Sequence, residues 1–213
     1  INYTLYSYKE EMLQVSYGLC CISNPGWDCR PIRHEHERES KSQKEPECKK
    51  PELKFFLECG THPQDAFFEI DDGEVEERQS FILNRVLVDA SHLCKPLVKI
   101  EFSCIIFWEA EDEEGDEHEV EVDLLFKLIR TCDGYSEVIQ TWRYLKEFDV
   151  ENSIDELEVE ISEPFTVTFC DRPCPKCCEY KIVVEGKDFE GEFDALRVVT
   201  PDLSALVQGH SDK

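Results

Sequence analysis

From Leu53 onward, apolar and polar residues alternate in short runs separated by turn-forming residues. In V98-K-I-E-F and E119-V-E-V-D-L the apolar side chains fall on every second position and the charges between them. That period of two belongs to an antiparallel strand with one buried and one wet face. Similar runs occupy 54–59, 66–70, 81–90, 97–110, 119–130, 138–148, 157–169, 180–186 and 193–199, and none carries a helical period. D112-E-E-G-D-E reads as a hairpin loop with Gly115 supplying a positive φ, and Asp133-Gly134 as a second tight turn. The pattern predicts an all-β chain, an antiparallel β-sandwich of jelly-roll type.

The two ends read differently. Residues 1–19 are rich in Tyr, Leu and Val, and Tyr3, Leu5 and Tyr8 among polar neighbours suit an extended arm that docks as a strand. Residues 20–52 combine Pro25, Pro31, Pro46 and Pro51 with mixed charges and read as a linker. The expected organisation is therefore an arm and linker over 1–52, a sandwich over 53–200 and a short polar tail over 201–213. No run of about twenty apolar residues is present to span a membrane. The opening lacks the basic start and apolar stretch of a secretory signal. The one methionine is Met12, so the natural start is either Ile1, left by processing, or Met12.

Charge narrows the function. The formal net charge is −25, yet residues 1–50 hold eight basic and eight acidic side chains, so the whole imbalance lies in 51–213. A surface of that sign does not suit nucleic acid, which needs a positive patch. No G-x-S-x-G, Walker, Rossmann or H-E-x-x-H pattern occurs, and the six His sit in no catalytic frame, so an enzyme is not expected. The acids of the 112–119 stretch lack the D-x-D-x-D-G spacing that wraps calcium. No cofactor is expected.

The remaining chemistry is sulfur. Twelve cysteines are present, with Cys20, Cys21, Cys29 and Cys48 in the leader and Cys170, Cys174, Cys177 and Cys178 within nine residues. A chain of this length can bury a core without covalent help, so clustered thiols point elsewhere. One reading is zinc on Cys170, Cys174, Cys177 and Cys178, which would make the protein a monomeric, zinc-stapled acidic scaffold. Against it, Cys177 and Cys178 are adjacent, so on a strand they face opposite ways. The other reading is disulfides between subunits. A vicinal pair such as Cys20-Cys21 suits bonds to two different partners, and all eight clustered cysteines are candidates. Cys59, Cys94, Cys104 and Cys132 stand singly in apolar runs and are expected to be buried small hydrophobes.

A cysteine-bearing leader with Cys20-Cys21 ahead of an acidic β-sandwich resembles the subunits of bacterial endospore appendages. Those are pilus-like fibres of jelly-roll subunits whose N-terminal connectors are disulfide-bonded to neighbouring copies. Separately, L57-E-C-G-T and C170-D-R-P-C-P-K-C-C-E-Y are similar to an uncharacterised family of spore-forming anaerobes, over about 52–200. The appendage resemblance implies that Cys20 and Cys21 are connector thiols with acceptors on adjoining subunits. The expectation is a self-assembling fibre subunit, extracellular or on the spore surface, with copies of itself as partner and neither nucleic acid nor membrane involved.

Overall fold

The computed structural model describes residues 52–76, 78–112, 117–151 and 157–211, none of them helical. In chain order the strands are β1 (Leu53–Cys59), β2 (Ala66–Phe67), β3 (Ile70–Asp71), β4 (Glu74–Val75), β5 (Ser80–Asp89) and β6 (Leu93–Asp112). They continue with β7 (Glu117–Cys132), β8 (Tyr135–Glu151), β9 (Leu157–Asp171), β10 (Cys177–Glu190) and β11 (Glu192–Ser211). One sheet runs β1-β11-β6-β9, with β2 also on β11; the second runs β5-β10-β7-β8; β3 and β4 form a small ribbon. Every pairing is antiparallel. Counting only the long strands, one sheet takes the first, eighth, third and sixth, and the other the second, seventh, fourth and fifth. That interleaving is the two-Greek-key order of a jelly roll.

Alternation builds the core as the sequence requires. Val98, Ile100, Phe102, Ile106 and Trp108 of β6 point inward, as do Val120, Val122, Leu124, Phe126 and Leu128 of β7. Phe126 stacks on Phe165 of the opposite sheet with ring centroids 4.3 Å apart. Asp133 (φ 51°) and Gly134 (φ 77°) join β7 to β8, the positive φ pair that a two-residue hairpin needs.

Three expectations are corrected. Residues 201–211 are not a tail: β11 runs on to Ser211, with Pro201, Leu203, Ala205 and Val207 buried. Pro201 resembles a strand breaker, but the ladder to β6 shifts register between Val199 and Asp202 and Thr200 takes φ 52°. A proline without an N–H is tolerated at such a bulge. Second, β6 and β7 belong to different sheets. They are therefore not hairpin partners, and Gly115, expected at the turn, lies outside the described residues. Third, the run at 66–70 divides into β2 and β3.

The outer face of the second sheet concentrates like charges. Glu121 stands opposite Glu147 on β8 and Glu190 on β10, and Glu119 stands opposite Asp149. Burial first, then the charge of Asp188, followed by Asp123, Glu147 and Glu190, pushes the Glu121 carboxyl above its ordinary range. Burial and Glu190 do the same to Glu119. A raised carboxyl is a penalty carried by the folded state at neutral pH and relieved as pH falls through the folded pKa. Glu185, held low by hydrogen bonds from Lys127 and Lys187, works oppositely and loses its contribution in acid. Stability should therefore peak on the acid side of neutrality. Glu121→Gln should stabilise the domain by several tenths of a kcal/mol, up to about 1. Thermal melts with and without high salt check this, because screening should shrink the gain.

Candidate functional site

The end of the sandwich where the described chain begins also carries most of the described cysteines. The Ser211 amide donates to the Glu52 carbonyl at 2.9 Å, which holds the start of β1 against the end of β11. Ladder partners fix what else lies there: Leu53 opposite His210, His210 opposite Cys94, Cys177 opposite Asp89, and Cys178 opposite Cys132.

The loop from Asp171 to Cys177 is pinned at both ends. Pro173 is buried, the Lys176 carbonyl accepts from the Ala90 amide at 3.1 Å, and the Lys176 ammonium pairs with Asp133. Asp171 anchors the near side. It accepts two hydrogen bonds from Arg130 Nη1, at 2.8 and 2.6 Å, and one from the Tyr180 hydroxyl at 2.8 Å. Arg130 also pairs with Glu137. Burial pulls the Arg130 pKa down, but Glu137 and Asp171 outweigh it and hold the guanidinium charged. Burial, then the Asp171 charge, pushes the Tyr180 hydroxyl up, so it stays a donor. Because Arg130 and Tyr180 belong to one sheet and Asp171 to the other, this group ties the two layers together beneath the cysteine loop.

The structure sorts the cysteines. Cys178 forms a disulfide with Cys132, with Cα atoms 4.5 Å apart. They are ladder partners on β10 and β7, and 4.5 Å is the close spacing of a non-hydrogen-bonded antiparallel pair. This removes Cys178 from the intersubunit set and from any four-thiolate zinc site. It also corrects Cys132, expected to be a plain buried hydrophobe. Among the described residues, no three His, Cys, Asp or Glu side chains gather as metal ligands, so Cys170, Cys174 and Cys177 are not brought together for zinc. All three are exposed, as are Cys59 and Cys94. Only Cys104 is buried as expected, and burial pushes its thiol up to about 12. Cys20, Cys21, Cys29, Cys48, Tyr3, Leu5 and Tyr8 lie outside the described residues.

Cys94 was hidden by a phase change. Reading the inward set Val98, Ile100, Phe102 and Cys104 backwards would turn Cys94 inward too. The backbone at Lys95 has φ 53° and the ladder shifts between Gln208 and His210, which turns Cys94 out. Cys59 is outward with Leu53, Phe55 and Leu57 on β1, and Leu206 lies directly opposite Leu57. This apolar strip stands on an edge strand next to the point where the leader joins.

A family model described as a domain of unknown function, DUF4489, matches residues 54–208, from the start of β1 almost to the end of β11. The chain belongs to this family. No curated protein matches it significantly. The DUF4489 match spans the described jelly roll from β1 into β11. No helix among the described residues of this DUF4489 chain is long and apolar enough to cross a membrane.

Proposed function

We propose that this DUF4489 chain is a structural subunit of an extracellular or spore-surface fibre. Copies join head to tail when the leader of one docks on the next and is locked by disulfides. The observation that carries this reading is the display of exposed cysteines, among them Cys59, Cys94, Cys170 and Cys177, on a jelly roll whose described residues form one buried core. Cys20 and Cys21 supply the connector thiols. Cys59, Cys94, Cys170 and Cys177 are the acceptors the domain presents. The exposed strip of Leu53, Phe55, Leu57 and Leu206 offers an apolar seat for the Tyr- and Leu-rich arm, whose backbone would add to the edge of β1 that has no partner among the described residues. A head-to-tail contact that does not close generates a filament, and disulfides in series block its dissociation.

Deleting residues 1–21 tests the arm. Sedimentation velocity should show large assemblies for the full chain and a folded monomer for the truncated one, with its melting temperature unchanged. A truncated chain that unfolds, or that assembles as before, would contradict the proposal.

A further inference from the structure

We propose that β1 of one copy pairs antiparallel with β1 of a second copy, about a two-fold axis at Phe56, joining two sandwiches edge to edge. β1 ends its sheet, with β11 as its one ladder partner among the described residues. It also lacks the usual protection of an edge. β9, at the other end of the same sheet, is interrupted by Pro164 and presents exposed Glu158 and Glu160, devices that keep strands from pairing side by side. β1 has no proline, its ladder has no bulge, and Leu53, Phe55 and Leu57 stand exposed on its outer face.

Hydrogen bonds decide which residues can meet. The Ser211 amide donates to the Glu52 carbonyl at 2.9 Å, and the Gly60 amide to the Leu203 carbonyl at 2.6 Å. The register between them is unbroken. Even-numbered residues therefore bond to β11, while Leu53, Phe55, Leu57 and Cys59 turn N–H and C=O to the edge away from it. Opposed residues of an antiparallel ladder bond as pairs, so an odd-numbered residue must meet an odd-numbered one. A two-fold axis perpendicular to the sheet meets that condition and keeps the outer faces of both copies on one side.

Side chains then select the register. With Phe56 at the centre, Lys54 lies opposite Glu58 of the other copy, Phe55 opposite its Leu57 and Leu53 opposite its Cys59. Lys54 and Glu58 fall at the closely spaced positions of the new ladder, where Cα atoms are about 4.5 Å apart, and the axis makes the ion pair twice. Opposite charges and aromatic–aliphatic pairs favour such a contact, and like charges oppose it. Moving the centre to Phe55 sets Glu52 against Glu58. Moving it to Leu57 sets Phe56 against Glu58 and leaves Lys54 opposite Gly60. The central register is the self-complementary one.

Seven residues from each copy make a small contact of the weak, transient class, so the pair fills only at high protein concentration and dilute domains sediment singly. An arm seated on β1 excludes it. The pair therefore belongs to subunits whose edge no arm has filled, and it does not rest on the proposed fibre.

Sedimentation equilibrium over a rising concentration series tests this on the full chain carrying C20S and C21S, kept in reduced glutathione so that exposed thiols stay free. Monomer should pass to dimer. Lys54→Glu should weaken the dimer roughly tenfold, because two attractive pairs become repulsive. Glu58→Lys should do the same, and K54E with E58K should restore the dimer. Monomer at every concentration, or association that the double exchange does not rescue, overturns the proposal. A rescued dimer in a protein that forms no disulfide ladder would keep the pair and remove the fibre. A ladder without the rescued dimer would do the reverse.

Discussion

Alanine at both Cys132 and Cys178 should cost the domain about 4 kcal/mol, the chain-entropy value for opening a loop of 46 residues. The bond joins strands that pair only after β8 and β9 have intervened, so it restrains a long-range contact in the unfolded chain. For a domain of this size the loss corresponds to a melting temperature lower by roughly 10 °C. The double variant isolates the effect, because a single one would leave a reactive thiol beside four exposed cysteines. Calorimetry on the leader-deleted domain reads it directly, and reductant should lower the parent to the same value while leaving the variant unmoved. A shift below about 1 kcal/mol would mean that the ladder alone defines this end of the sandwich.

Trp108→Ala should be of similar size, about 3–5 kcal/mol. Trp108 is fully buried on β6, edge-on to Phe148 with ring centroids 5.8 Å apart and tilted against Phe193 at 6.5 Å. Its indole Nε1 donates to the Tyr144 hydroxyl at 3.1 Å, and that hydroxyl donates to Glu163 Oε1 at 2.7 Å. The buried Lys146 ammonium lies 3.0 Å from the same carboxylate oxygen. Trp108 and Glu163 sit in one sheet, Tyr144 and Lys146 in the other, so this polar rib fastens the side bounded by β8 and β9. Trp108→Phe keeps most of the volume and removes only the donor, so it should cost about 1 kcal/mol. Equal losses for Ala and Phe in urea titrations would assign the whole effect to the hydrogen bond and contradict the packing argument.

Much of the fold was legible because alternation is a local signal. The runs of β6, β7 and β9 carry their burial phase in their own residues, and Asp133-Gly134 names its own turn. What failed was non-local or sat at a bulge. Nothing near Cys178 announces Cys132, because their pairing depends on β10 folding back beside β7. The acidic stretch after Asp112 looks like a hairpin in sequence, and only the interleaved strand order shows that β6 and β7 are not paired. Pro201 and Lys95 each sit at a register shift, where counting by twos breaks; the first hid the end of β11 and the second the exposure of Cys94. At the candidate site, the adjacency of Cys177 and Cys178 did foretell opposite faces: one is exposed and the other buried in a disulfide. The zinc reading fell at that same pair.

In the proposed fibre, the leader of each copy is bonded through sulfur to another copy. Electrophoresis in detergent without reductant, after boiling, addresses it most directly. The account predicts a ladder or high-mass smear that collapses with reductant to a single band near 24.9 kDa. One band at that mass in both lanes would contradict it.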